Sequence, residues 1–173
     1  MTIRILGGLG LLLFAAPAAG QAAPVPRPDP AWMTVDSAGR AVTFELIAGM
    51  TTANGSLNFN GQKGGALTFT VPRGWRVTLD FVNRDKNLPH SAQVIGGTGA
   101  VPMGPATPAF PGASSTDPGT GVPATAPMEP IRFVAGTAGD YRIFCAVPGH
   151  GMAGMWIKLK VDPSAALPSV TIN

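Results

Sequence analysis

The chain has no second cysteine and no third histidine. Cys145 is the only thiol in 173 residues, and His90 and His150 are the only imidazoles. No internal disulfide can form, although exported proteins commonly depend on them. Charge is scarce as well: 12% of residues are Asp, Glu, Lys or Arg, and the net charge is +3. A surplus this small and scattered gives no nucleic-acid footprint, which needs a concentrated basic face. No stretch shows a convincing helical period, and with 23 Gly and 18 Pro a helical bundle is disfavoured by composition too. Beyond the first residues no long apolar segment exists to cross a bilayer.

What is present begins with an export signature. In MTIRILGGLGLLLFAAPAAGQAAP, Arg4 precedes an apolar run from Ile5 to Ala16, and small residues suited to signal peptidase follow. The run falls short of the ~20 apolar residues of a membrane-spanning helix. Residues 1–20 are expected to be a signal peptide, with cleavage after Gly20 or Ala22. No cysteine stands near that point to carry a lipid anchor. Residues 21–40 hold four prolines and read as an extended leader. Residues 41–173 are enough for one domain with a real core, so a soluble, exported, periplasmic or otherwise extracytoplasmic monomer is expected.

From Arg40 onward the dominant period is two, the mark of strands with one buried face. AVTFELIA (41–48), ALTFTV (66–71), RVTLDFVN (76–83), SAQVI (91–95), IRFVA (131–135), DYRIFC (140–145) and WIKLKVD (156–162) each alternate or carry a short apolar run. Asn60-Gly61, Gly64-Gly65, Pro72-Arg73-Gly74 and the 136–140 stretch punctuate them as turns. Seven such strands predict an all-β, Greek-key antiparallel β-sandwich. Between Gly96 and Pro130 lies a long loop with 7 Gly and 8 Pro. Loops of this length in compact domains are uncommon and often functional. Val101, Met103, Phe110 and Met128 are its candidates for tacking it to the sandwich, and its place after the His90 segment predicts that it borders the site.

The chemistry gathers at strand ends. His90 stands in N-L-P-H-S, between the strand ending at Asn83 and SAQVI. Cys145 closes another strand, and His150, Met152 and Met155 follow on the loop before WIKLKVD. In a Greek-key sandwich these ends can meet at one pole, giving a thiolate, two imidazoles and a thioether. A trigonal His₂Cys set with a weak axial Met is the site of blue-copper electron transfer. Thiolate sulfur bonds covalently to copper, imidazole suits both oxidation states, and a long thioether bond favours Cu(I). Asn83 is placed to orient the His90 loop. Asp80, Asp85 and Glu45 read as solvated charges, and Trp32, Trp75 and Trp156 as packing.

Four segments, L-N-F-N-G (57–61), L-P-H-S (88–91), P-A-F-P-G-A-S (108–114) and C-A-V-P-G-H-G-M-A-G-M-W (145–156), resemble those of the sulfocyanins, members of the cupredoxin family. The likeness runs from about Val42 to Val161, and the C-x₄-H-x₄-M spacing is also rusticyanin-like. It implies a Greek-key sandwich with one type 1 copper ion held by His90, Cys145, His150 and Met155. Ligand loops of the family place the axial methionine four or five residues past the second histidine, which selects Met155 over Met152. Met152 is then a piece of exposed apolar rim. Many cupredoxins have Asn after the first histidine; Ser91 stands there here, as in rusticyanin-like proteins.

The expected function is single-electron carriage between redox partners, such as a c-type cytochrome or a terminal oxidase, by Cu(I)/Cu(II) cycling. No enzymatic activity is expected. A copper oxidase or nitrite reductase needs additional histidines, and a binuclear copper domain needs two cysteines. A Cys145 hydrolase would leave the methionines unexplained and lacks an evident Asp or Asn partner. Copper storage or delivery uses the same ligands and stands as the alternative.

Overall fold

A computed structural model describes residues 28–173; the expected signal peptide and the first part of the leader lie outside the described residues. All seven expected strands form. They are β2 (Ala41–Ala48), β3 (Leu67–Pro72), β4 (Arg76–Asn83), β5 (Gln93–Gly96), β6 (Ile131–Val134), β7 (Gly139–Phe144) and β8 (Trp156–Asp162). Two more join them: β1 (Met33–Asp36), within the Pro-rich segment, and β9 (Ser169–Ile172) after β8. One sheet has the order β1-β2-β4-β6, the other β5-β7-β8-β3-β9. Trp156 therefore starts β8 and not, as its place in the sequence suggests, the final strand.

The sheets are mixed, which corrects the antiparallel expectation. β2 runs parallel to β4, and β3 runs parallel to β8. Parallel neighbours need a crossover. For β2 and β4 that crossover is β3 itself, which lies in the opposite sheet. Alternating apolar residues cannot reveal this, because strand direction leaves the period of two unchanged.

The alternating faces meet as expected. Val42, Phe44 and Leu46 of β2 and Val77, Leu79 and Phe81 of β4 are buried, as are Leu67, Phe69 and Val71 of β3 and Ile157, Leu159 and Val161 of β8. Phe44 and Phe69 stack across the two sheets, with ring centroids 4.3 Å apart and planes 6° from parallel. Such stacked pairs contribute beyond their buried area.

Of the two asparagines in the N-F-N-G stretch, Asn60 ties the connection after β2 to that strand and Asn58 braces the connection internally. Buried Asn60 accepts a hydrogen bond from the Ile47 N–H through Oδ1 (3.0 Å) and donates through Nδ2 to the Glu45 carbonyl (2.9 Å). Its φ of +51° suits asparagine better than most residues. Asn58 donates to the carbonyls of Thr51 and Ala53. Asn60→Ala leaves a buried N–H and a C=O without partners, and is expected to lower unfolding stability by about 3 kcal/mol. Chemical denaturation of the metal-free protein checks this; a loss below about 1 kcal/mol would show that water replaces both bonds.

Candidate metal centre

Strand register brings the two halves of the site together. β5 pairs antiparallel with β7, with Gln93 opposite Phe144. The residues just before β5 therefore lie beside those just after β7. β7 also pairs with β8, with Phe144 opposite Trp156, and the Cys145 N–H donates to the Met155 carbonyl (3.0 Å). Cys145 to Met155 thus form a closed loop at one pole. Within it His150 N–H donates to Val147 O, and Met155 N–H to His150 O. Gly149, with φ of +84°, supplies the left-handed backbone this tight path needs.

The loop is braced from outside. Asn54 Nδ2 donates to the Ala153 carbonyl (2.8 Å), and Gly64 N–H donates to the Gly154 carbonyl (2.8 Å). On the opposite flank, Gly149 N–H donates to the Met103 carbonyl (2.7 Å). The long 96–130 loop also clasps His90. His90 N–H donates to Val122 O (3.2 Å), and Val122 N–H donates to His90 O (2.7 Å). A side chain at Gly121, whose φ is +74°, would come within 3.1 Å of the His90 backbone and 2.7 Å of Val147 Cγ2. The expectation that this loop borders the site is met. Phe110 is buried and Met128 packs against the core, but Met103 is 61% exposed. Met103 does not tack the loop down with its side chain; its carbonyl does so instead.

His90, Cys145 and His150 offer one atom each, all within 4.8 Å of one another. Cys145 Sγ lies 3.9 Å from His90 Nδ1 and 3.5 Å from His150 Nδ1. Cys145 and His90 are fully buried, and His150 is half-buried. Met155 is fully buried in the same loop as Cys145 and His150, whereas Met152 is 58% exposed.

Groups around the trio set its electrostatics. Ser91 N–H donates to Cys145 Sγ (3.3 Å), and Ser91 Oγ lies 3.7 Å from the same sulfur. Because Ser91 Oγ already accepts the Ala146 N–H (2.9 Å), its own proton is free to point at the thiolate. In the metal-free protein burial pushes the Cys145 thiol up, against the backbone N–H groups of Ser91 and Val147, which favour the thiolate. Burial likewise lowers both imidazoles, which favours the neutral form that can donate a lone pair.

Asn83 takes the orienting place expected of it. It donates to the carbonyls of Leu88 (2.9 Å) and Val122 (2.8 Å), and its Oδ1 accepts the Asp85 N–H (2.8 Å). Asp85, expected to be a solvated charge, is not one. It is buried, and its Oδ2 lies 3.3 Å from His90 Nε2. Burial would raise its carboxyl, but hydrogen bonds from the Asn87 N–H, His90 and the Leu88 N–H prevail and hold it below the usual value. The one sequence signal that pointed to this role is the D-K-N-L-P run, in which an Asp caps amides two and three residues on. Glu45 pairs with Arg84 at 3.5 Å, and Asp80 is exposed.

The donors fit copper. One soft thiolate and two imidazole Nδ1 atoms form the His₂Cys set of a type 1 site. Asp85 approaches the far side of the His90 ring, away from the Nδ1 that faces Cys145. A two-sheet β-sandwich with this trio at one pole defines a cupredoxin, a blue copper protein of electron transfer.

Comparison with known proteins narrows the class. The model of the Sulfocyanin (SoxE) domain matches residues 28–112 and 120–172, and the chain belongs to the sulfocyanin family. It is 25% identical over 144 residues to sulfocyanin of Sulfolobus acidocaldarius, spanning 79% of this chain and 71% of that protein. Among solved structures, the copper protein rusticyanin superposes with a TM-score of 0.52 at 22% identity, covering 76% of this chain and 87% of its own. Auracyanin A, a blue copper protein of Chloroflexus aurantiacus, gives 0.50 at 22% identity, with 70% and 99% covered. These two likenesses support the fold.

Proposed function

We propose that the protein carries single electrons between redox proteins outside the cytoplasm, with His90, Cys145, His150 and Met155 as copper ligands. The observation that carries this reading is the convergence of one thiol and two imidazoles, from separate strand ends, within 4.8 Å. Copper held there supplies a one-electron couple. The protein's part is to keep the ligands fixed, so that little reorganises between oxidation states. The clasp on His90 from Val122 and the braces on the ligand loop from Asn54, Gly64 and Met103 serve that purpose. Export is supported by the apolar run behind Arg4. A c-type cytochrome or a terminal oxidase is the proposed partner.

The test is direct. Cu(II) added to the metal-free protein should produce an intense band in the red part of the visible range, bleached and restored by one-electron reductant and oxidant. A colourless product would end the reading.

His150, the less buried imidazole, is the proposed point of entry and exit. From Ala146 to Ile157 no residue is charged, and Met152 is exposed on the loop. Met103, with its carbonyl on Gly149, adds a second exposed methionine to this rim. A charge-free rim lets a partner shed water without burying an unpaired ion, which would cost several kcal/mol. Transient redox encounters bury little area, so one misplaced charge weighs heavily. Met152→Glu is expected to slow electron exchange with the partner about tenfold or more, roughly 1.4 kcal/mol, and to leave the visible spectrum intact. Stopped-flow exchange beside an absorption scan of the same sample checks this. Unchanged exchange would place the docking surface elsewhere.

A further inference from the structure

We propose that Asp85 is a positioning residue for the copper site, fixing His90 as the Nε2–H tautomer and lowering the reduction potential through its carboxylate. The inference rests on the ligand role given to His90 above. Its basis is a buried pair: His90 is fully buried, Asp85 is 7% exposed, and His90 Nε2 lies 3.3 Å from Asp85 Oδ2. His90 Nδ1 faces Cys145 Sγ at 3.9 Å, so the two ring nitrogens point at different partners. A carboxylate can only accept, and Nε2 must therefore carry the proton. That leaves Nδ1 with its lone pair toward the sulfur, which is the form a metal needs.

Asp85 is held too firmly to be a chance neighbour. Its Oδ1 accepts the N–H groups of Asn87 (2.9 Å) and Leu88 (3.3 Å), and its own N–H donates to Asn83 Oδ1. A Cβ at Gly49 would sit 2.6 Å from Asp85 Cβ, so the residue that follows β2 is glycine where the aspartate packs against it. Among the described residues Asp85 forms no ion pair with a lysine or arginine; His90 is its one partner at that distance. Its negative charge is therefore directed at the imidazole. A carboxylate behind a metal-bound histidine raises the basicity of that ligand, and such partners are typically worth 10–100-fold in metal affinity or activity. The extra electron density favours Cu(II) over Cu(I), so the pairing lowers the potential.

Asp85→Asn separates this role from loop capping. The amide oxygen can still accept the Asn87 and Leu88 N–H groups, but the amide nitrogen then faces His90 Nε2, donor against donor. Flipping the amide only transfers that conflict to the backbone. Copper-loaded Asp85→Asn is expected to keep its blue band while its preference for Cu(II) over Cu(I) falls about tenfold, an upward shift of about 60 mV for a one-electron couple. Long-range ¹H–¹⁵N spectra of the metal-free wild-type protein at neutral pH are expected to show His90 protonated at Nε2 and bare at Nδ1. Any other form of the ring in the wild type overturns the proposal, whether or not the variant folds. So does a potential in Asp85→Asn within about 10 mV of the wild type, which is under a twofold change in that preference. A wild-type protein without the blue band would instead remove the copper reading, and with it the effect on potential. The His90 tautomer would still decide the pairing.

Discussion

Cys145→Ser abolishes the red-region absorption of the copper-loaded protein and leaves the sandwich folded. The band requires charge transfer from a sulfur whose orbitals mix with the metal, and a serine oxygen at the same place is too hard a donor to replace it. The fold should tolerate the change because a single buried atom is replaced by a smaller one. Cys145 follows β7, and its backbone N–H is held by Met155 O whichever side chain is present. The Ser91 N–H, now 3.3 Å from sulfur, can donate equally to an oxygen. The loss of stability in the metal-free protein should be about 1 kcal/mol, the centre of the range for point substitutions. The paired measurement is an absorption scan after copper addition and a thermal melt of the metal-free form. An intense charge-transfer band retained in Cys145→Ser would refute the assignment of the thiolate. Loss of colour with a collapsed melt would show that Cys145 serves the core as well.

What the sequence reveals of this protein divides along a physical line. Strands with one buried face impose alternation, and so β2 to β8 are legible from apolar spacing alone. β1 and β9 are not, because both are four-residue edge strands, largely exposed or half-buried, with little alternation to read. Chain direction is equally hidden, since β2 beside β4 would show the same residues buried whether parallel or antiparallel. Ligand chemistry is legible because thiol and imidazole are so rare here that their positions stand out. Electrostatic partners are harder to read. Asp85 has the composition of any surface aspartate, and only the turn after β4 directs it inward against Gly49 and His90. Met103 errs the other way: an apolar side chain in a loop suggests anchoring, yet the anchoring bond comes from its carbonyl.

The methionines provide the second large effect. Met155→Leu is expected to raise the reduction potential, while Met152→Leu leaves it almost unchanged. Both side chains lie within five residues of His150, so the distinction rests on where the loop puts them. Met155 is fully buried, its N–H bonded to His150 O and its carbonyl to the Cys145 N–H, which ties it to both of those residues. Met152 is 58% exposed at the loop surface. Leucine at 155 keeps the apolar volume nearly constant, so the core should lose less than about 1.5 kcal/mol. What it removes is the thioether proposed as the axial ligand. A long thioether bond favours Cu(I) only by comparison with a stronger axial donor; with no donor at all Cu(II) loses even that weak stabilisation. Each tenfold loss of that preference moves a one-electron couple upward by about 60 mV, and Met155→Leu should move it by at least that much. Voltammetry of both variants under one set of conditions reads the difference directly. If Met152→Leu shifted the potential and Met155→Leu did not, Met152 would be the axial ligand. The loop from Gly149 to Gly154 would then have to fold inward when copper binds, breaking the hydrogen bond from Asn54 Nδ2 to the Ala153 carbonyl.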